Sequence, residues 1–307
     1  MKGKEMREIA GETLARLMLE REDIVVLDAD LSHSTKTILA QQACPERFFN
    51  MGIAEANMMG VAAGLASLGK TVFASSFAVF AAGRAFEQIR NAIAVPEANV
   101  KILATHAGLS AGQDGASHQA VEDLALMRSL PGMTVLSPAD NWETEHAVRW
   151  AAASPGPVYI RLSRGIAQDL PYPEINIMKM NTLKKGKSLA ILATGSMVSE
   201  SLKAATLLEN KGIKATVVNV RCLKPLDIEQ LIQIVQTHKQ IITVEEHSII
   251  GGLYSAITEA LAMRQPRACL GIGIPDRFGE SGKPDELRRE VGLTADQIAQ
   301  QILIQSL

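Results

Sequence analysis

A chain of 307 residues is long for one hydrophobic core, so two domains are expected. Apolar residues at 47% and charged residues at 21% exclude a disordered chain, and no charge-free apolar run reaches the roughly 18 residues of a membrane span. A formal charge of −2 with scattered Lys and Arg leaves no electrostatic reason to expect nucleic acid or an anionic membrane surface.

The first nineteen residues, MKGKEMREIAGETLARLML, lack the apolar core of a signal peptide. Ile9, Leu14, Leu17 and Met18 fall near helical spacing and predict an amphipathic helix. Residues 24–27 predict a buried parallel strand. It runs into Asp28-Ala29-Asp30-Leu31-Ser32-His33-Ser34-Thr35. Acidic and hydroxyl groups just beyond a strand's carboxyl end suit a ligand loop of an open α/β sheet. Helix capping suits Ser34 and Thr35 as well.

Residues 48–69, FFNMGIAEANMMGVAAGLASLG, are almost all small and apolar and carry one acid, Glu55. Such a composition predicts a helix buried on every side. A carboxylate there is costly unless something binds it or its protonation state changes. A place in the first helical turn, where the dipole favours negative charge, is the other reading of Glu55. Residues 71–74 predict a second strand, and a helix follows through 93. Phe77 and Phe80 between them fit core packing or ligand contact.

Residues 100–104 predict a third strand, followed by the polar loop 105–119 with His106, Asp114, His118 and three glycines. A loop of that length in a compact domain is usually functional or disordered, and alternating Gly with Asp and His argues for a shaped one. A helix over 122–129, a strand at 134–136, a helix holding Trp142 and Trp150, and a strand over 157–162 ending at Ser163-Arg164-Gly165 complete the first series. Residues 170–187 are rich in Pro and Lys without periodicity and read as a linker, with Lys184, Lys185 and Lys187 solvated. Strands at 189–192, 215–218, 240–244 and 268–272 then alternate with helices, one of which ends at Gly212 and another of which opens at Gly251-Gly252. The pattern implies an α/β protein of two domains, 1–169 and 188–307, each a mainly parallel sheet flanked by helices. Cys44, Cys222 and Cys269 lie far apart without C-x-x-C spacing, which argues against a disulfide framework or metal site and for a reducing cytoplasm.

Taken together, Asp28-Ala29-Asp30-Leu31, Gly52-Ile53-Ala54-Glu55, Ser76-Phe77 with Phe80, Thr105-His106, Gln113-Asp114-Gly115-Ala116-Ser117-His118-Gln119 and Ser163-Arg164 resemble the C-terminal half of a transketolase. Thr194-Gly195-Ser196 and Glu245-Glu246-His247 extend the resemblance into the second domain. The resemblance implies a thiamine-diphosphate enzyme in which Glu55 meets N1′ of the aminopyrimidine ring. A carboxyl held neutral by an apolar site shares its proton with that nitrogen and favours the imino tautomer. It also implies that Phe80 stacks on the pyrimidine, Phe77 lines its pocket and Asp30 lies near the thiazolium. Arg7, Ser34, His106 and Arg164 would hold the phosphate end of the substrate. Asp114 and His118 would read the sugar hydroxyls, His118 assisting proton transfer.

Thr105-His106-Ala107-Gly108 and Gly112-Gln113-Asp114-Gly115 stand where many transketolases read T-H-D-S and G-E-D-G, and Gly83 stands where an aromatic often completes the pyrimidine pocket. These departures bear on which sugar is taken. The G-D-G motif that anchors the diphosphate through Mg2+ or Ca2+ is absent, so this chain supplies no metal ligands and a partner subunit is implied. The implied assembly is a heterotetramer, two copies of each chain around a dimer of this one. The implied activity is transfer of a two-carbon ketol unit between sugar phosphates. A 2-oxoacid dehydrogenase β subunit, a deoxyxylulose-phosphate-synthase-like subunit and a non-catalytic assembly partner are the alternatives.

Overall fold

The structure, a computed structural model, describes residues 3–167, 169–170 and 176–305. Residues 171–175 of the expected linker lie outside the described residues. In chain order the strands are β1 (Ile24–Asp28), β2 (Phe48–Asn50), β3 (Thr71–Phe77), β4 (Val100–Thr105), β5 (Thr134–Leu136), β6 (Val158–Arg161), β7 (Asn181–Lys184), β8 (Leu189–Ala193), β9 (Ala215–Asn219), β10 (Cys222–Lys224), β11 (Gln240–Ser248) and β12 (Cys269–Ile274). One seven-stranded sheet has the order β10-β5-β6-β4-β3-β1-β2, and a five-stranded sheet has the order β12-β11-β8-β9-β7. Both are parallel except at one edge, where β10 runs antiparallel to β5 and β7 antiparallel to β9.

Alternation along β1 shows why these runs become central strands. Ile24 and Val26 pack with Leu14, Met18 and Val148 from the helices Met6–Glu20 and Asn141–Ala153 on one face. Val25 and Leu27 pack with Met58, Met59 and Ile89 on the other. A strand covered on both faces needs a continuous apolar run, which is what a parallel sheet between helix layers selects. In the second sheet Ile191, Val217 and Val244 meet the helices Met197–Glu209 and Ala295–Gln305. Its other face shares one apolar cluster with the first domain.

Three short strands fall where local pattern gives no signal. Strand β7 lies inside the stretch read as linker, with Lys184 paired to Glu209 at 2.6 Å. Strand β10 crosses from the second domain to the edge of the first sheet, while Arg221 just before it ion-pairs with Glu143 at 3.0 Å, both buried. The helix Glu55–Ser67 also differs from expectation. Glu55, Met58, Met59 and Ala62 are buried, whereas Asn57, Gly60, Gly64 and Ser67 are exposed beside Ile53 and Leu68. Small residues let a second surface approach that face, but the described residues do not supply one. Among the described residues no helix is long and apolar enough to cross a membrane.

Candidate active site

Strands β6, β4, β3, β1 and β2 are consecutive neighbours, so their carboxyl ends form one rim. In parallel sheets that rim is where ligands bind. At the end of β1 the buried Asp28 carboxylate accepts from the Leu31 amide (2.6 Å) and from the hydroxyls of Thr35 and Thr37 (each 2.8 Å). Burial pushes its carboxyl above the usual range. Thr35 is therefore spent on Asp28 rather than on capping, and Leu31 is the cap of the helix Ser32–Thr35. The turn so fixed carries Asp30, at φ 64°, whose carboxylate accepts from Asn50 Nδ2 at 2.9 Å.

Glu55 opens its helix with 1% of its side chain exposed. Arg84 Nη1 donates to its Oε2 at 2.8 Å, while Oε1 is buried without a hydrogen-bond partner. So Glu55 is held by a cation, not by small apolar groups alone. Arg84 comes from the π-helical turn Phe80–Arg84 and is half-exposed. Its guanidinium carbon lies 4.7 Å from the centre of the Phe80 ring, a cation–π contact. The Phe77 and Phe80 rings stack 5.9 Å apart at 10°.

His106 continues this row. It is 2% exposed, takes a left-handed φ of 57°, and stacks on Phe77 at 3.8 Å. Its Nδ1 lies 2.9 Å from Thr105 Oγ1 and its Nε2 3.4 Å from Arg7 Nη1. Burial, with Arg7, Arg164 and His118 nearby, pushes His106 down to about 3, so it is neutral at physiological pH. Arg7 also donates to the Ser34 carbonyl at 2.8 Å and pairs with Glu5. His118 stands edge-on to Phe80 at 5.1 Å. Arg164 lies 3.8 Å from Asp114, and its amide donates to Ser110.

Tertiary structure thus links Glu55, Phe80, Phe77, His118, His106, Arg7 and Ser34 through direct contacts, with Arg164 and Asp114 alongside. Asp30 sits on the neighbouring strand end and is tied to Asn50 instead. Sequence reasoning missed Arg84 and Asn50. Arg84 lies four residues after Phe80, a spacing that puts both on one helical face, so it was findable. Asn50 carries no such local signal.

Residues 2–168 match the family "Transketolase, pyrimidine binding domain" and residues 178–298 match "Transketolase, C-terminal domain". The chain belongs to the transketolase family and corresponds to its C-terminal half. It is 48% identical over 98% of its length to a Methanocaldococcus jannaschii protein named as a transketolase C-terminal section, covering 96% of that protein. It is 40% identical to the 6-deoxy-6-sulfo-D-fructose transketolase subunit of a Clostridium species, with 94% of this chain and 91% of the relative covered. A solved structure described as a split gene transketolase, inactive beta4 tetramer, superposes with a TM-score of 0.88 at 49% identity, covering 97% of this chain and 96% of that one.

Proposed function

We propose that this chain is the C-terminal subunit of a split thiamine-diphosphate-dependent transketolase that moves a two-carbon ketol unit between sugar phosphates. One observation carries the reading: a buried carboxylate, Glu55, with an oxygen that nothing among the described residues satisfies, beside two stacked phenylalanines. A buried orphan acceptor is costly, and a protonated ring nitrogen is the kind of donor that relieves it. The residues fit an aminopyrimidine ring: Glu55 at its edge, Phe80 beneath it, Phe77 lining the pocket and Asp30 on the adjacent strand end. When bound, thiamine diphosphate supplies the carbon centre and electron sink for cleaving the ketose C–C bond.

Within this chain Glu55 offers Oε1 as a hydrogen-bond acceptor, and Phe80 presents a face once Arg84 swings aside. Neutral His106 offers a hydrogen bond without adding charge, while Arg7, Ser34 and Arg164 bind the phosphate end. Asp114 and His118 orient the hydroxyls. Because the chain lacks G-D-G, we assign the diphosphate and its Mg2+ or Ca2+ to an N-terminal partner subunit. The exposed small-residue face of the helix Glu55–Ser67 supports a dimer of this chain within a cytoplasmic heterotetramer. We also take 1–169 and 188–307 as its two domains, with 170–187 between them carrying β7 to the edge of the second sheet.

The test is reconstitution with a partner subunit that carries G-D-G, assayed for ketol transfer from phosphorylated and free ketoses with thiamine diphosphate and magnesium. Transfer requires both chains, and Glu55→Gln lowers kcat by about 10²–10⁴-fold. Activity of Glu55→Gln within a few-fold of the parent, or no transfer from any ketose, overturns the reading.

A further inference from the structure

The second domain packs against the loop that carries Asp114 and His118. At its start Gly108 has φ 67°, and a β-carbon there would stand 2.8 Å from the Glu246 carbonyl oxygen. Leu109 is buried in the apolar cluster of the second domain together with Leu287. Gly112 backs onto Pro284, the first residue of the helix Pro284–Glu290. The far end of the loop is pinned by Gln119, 2% exposed. Its Nε2 donates to the Gly112 carbonyl at 3.1 Å and to the Glu280 carbonyl at 2.9 Å. A β-carbon at Gly279 would collide with Gln119 Oε1 and so force that amide to move. Asp114 and His118 therefore lie between two points fixed on the other domain, and Gln119 directly follows His118 in the chain.

We propose that Gln119 is a positioning residue: by bonding Gly112 and Glu280 together it clamps the substrate loop to the second domain and sets where Asp114 and His118 stand for the sugar. This rests on reading the site as one for ketol transfer. It also gives the second domain a task at a site to which it contributes none of the side chains assigned above. One side-chain amide joins the Gly112 carbonyl, which also accepts from the Gly115 amide at 3.1 Å, to the Glu280 carbonyl of the second domain, so its loss removes the bond that holds the far end of the loop. The pyrimidine pocket of Glu55, Phe77 and Phe80 is built on β3 and its neighbouring helices, and the clamped loop meets its edge through His118, 5.1 Å from the centre of the Phe80 ring.

The test uses the two-subunit enzyme. Gln119→Ala raises the ketose KM about tenfold, the size expected for loss of a partly buried hydrogen-bonded link, with thiamine diphosphate affinity within about twofold of the parent. Gln119→Glu keeps the volume but not the donor and does the same. Gly279→Ala reproduces the effect by pushing the amide out, and the Gly279→Ala, Gln119→Ala double variant is no worse than either single one, because both act through one contact. Hydrogen exchange at amides 108–118 accelerates in every variant, a readout that needs no turnover. An unchanged KM in Gln119→Ala, equal losses of ketose and cofactor affinity, or additive losses in the double variant overturns the clamp. If the parent enzyme transfers no ketol unit, the functional reading falls by itself, and unchanged exchange at 108–118 in Gln119→Ala then overturns the clamp separately.

Discussion

Strands β4 and β11 hold comparable places, each inside its sheet and each followed by polar side chains at the carboxyl end. Beyond β4, His106 joins a rim on which Glu55 keeps an oxygen unpaired and Arg84 is half in solvent. At the end of β11, Glu245, Glu246 and His247 are all buried. Glu245 accepts from the Leu253 and Tyr254 amides at 2.6 and 2.8 Å, the free N–H groups that open the helix Leu253–Arg264. Burial nevertheless pushes its carboxyl up to about 7. Glu246 Oε2 accepts from Ser196 Oγ (2.7 Å) and Arg288 Nη2 (2.9 Å). Burial pushes His247 down to about 4, so its 3.7 Å approach to Glu245 is not an ion pair at neutral pH. Arg161, from the end of β6, closes the junction by donating to Asp123 (2.9 Å) and to the Glu246 carbonyl (3.0 Å). Glu246 Oε1 and His247 Nε2 also lack a hydrogen-bond partner among the described residues, so access rather than unpaired polarity separates the two strand ends: the first opens to solvent at Arg84 and the second is sealed.

The sharpest way to break this contrast is Arg161→Met. If the second set of strand ends is structural, leaving the buried Asp123 charge uncompensated costs about 3–5 kcal/mol of stability by denaturant unfolding. A loss below about 1 kcal/mol would mean that the junction is open to water. Arg84→Met probes the open set and acts more gently. It removes the guanidinium from Phe80 and from Glu55, so thiamine diphosphate binds the two-subunit enzyme about threefold more tightly in a titration. Binding weakened tenfold or more would instead make Arg84 a ligand of the cofactor.

His106→Gln has the smallest effect at neutral pH and a distinctive one in acid. The folded value of about 3 lies below the ordinary 6.5, so between these the unfolded chain binds the extra proton. Stability from this group is present above pH 6.5 and is lost as pH falls toward 3. Replacing His106 by non-titrating Gln flattens that part of the stability–pH curve, measured as unfolding midpoints from pH 4 to 7. An unchanged slope would place His106 in water rather than against Phe77.

Much of the fold was readable because a buried parallel strand advertises itself locally. Runs at 24–27, 71–74, 100–104 and 189–192 are apolar on both faces, and each became a central strand. Strands β2, β7 and β10 are three or four residues long and exist because a distant edge accepts them, a fact no window of sequence contains. The site divides in the same way. Glu55 stood out as the single acid in a small apolar helix, and the loop 105–119 as a long polar insertion. The partner of Glu55, and the attachment of that loop to the other domain, did not.

From its residues alone this chain declared two α/β domains, because periodicity and residue chemistry are local properties. Its motifs carried the resemblance to a thiamine-dependent family and with it most of the side chains that the fold gathers on the rim. Only the folded molecule decided that Arg84 meets Glu55, that Glu245, Glu246 and His247 are sealed inside, and that Gln119 ties Gly112 to Glu280. Those outcomes depend on which donor reaches which acceptor across long sequence separations, and burial and distance settle them only once the two domains are packed together.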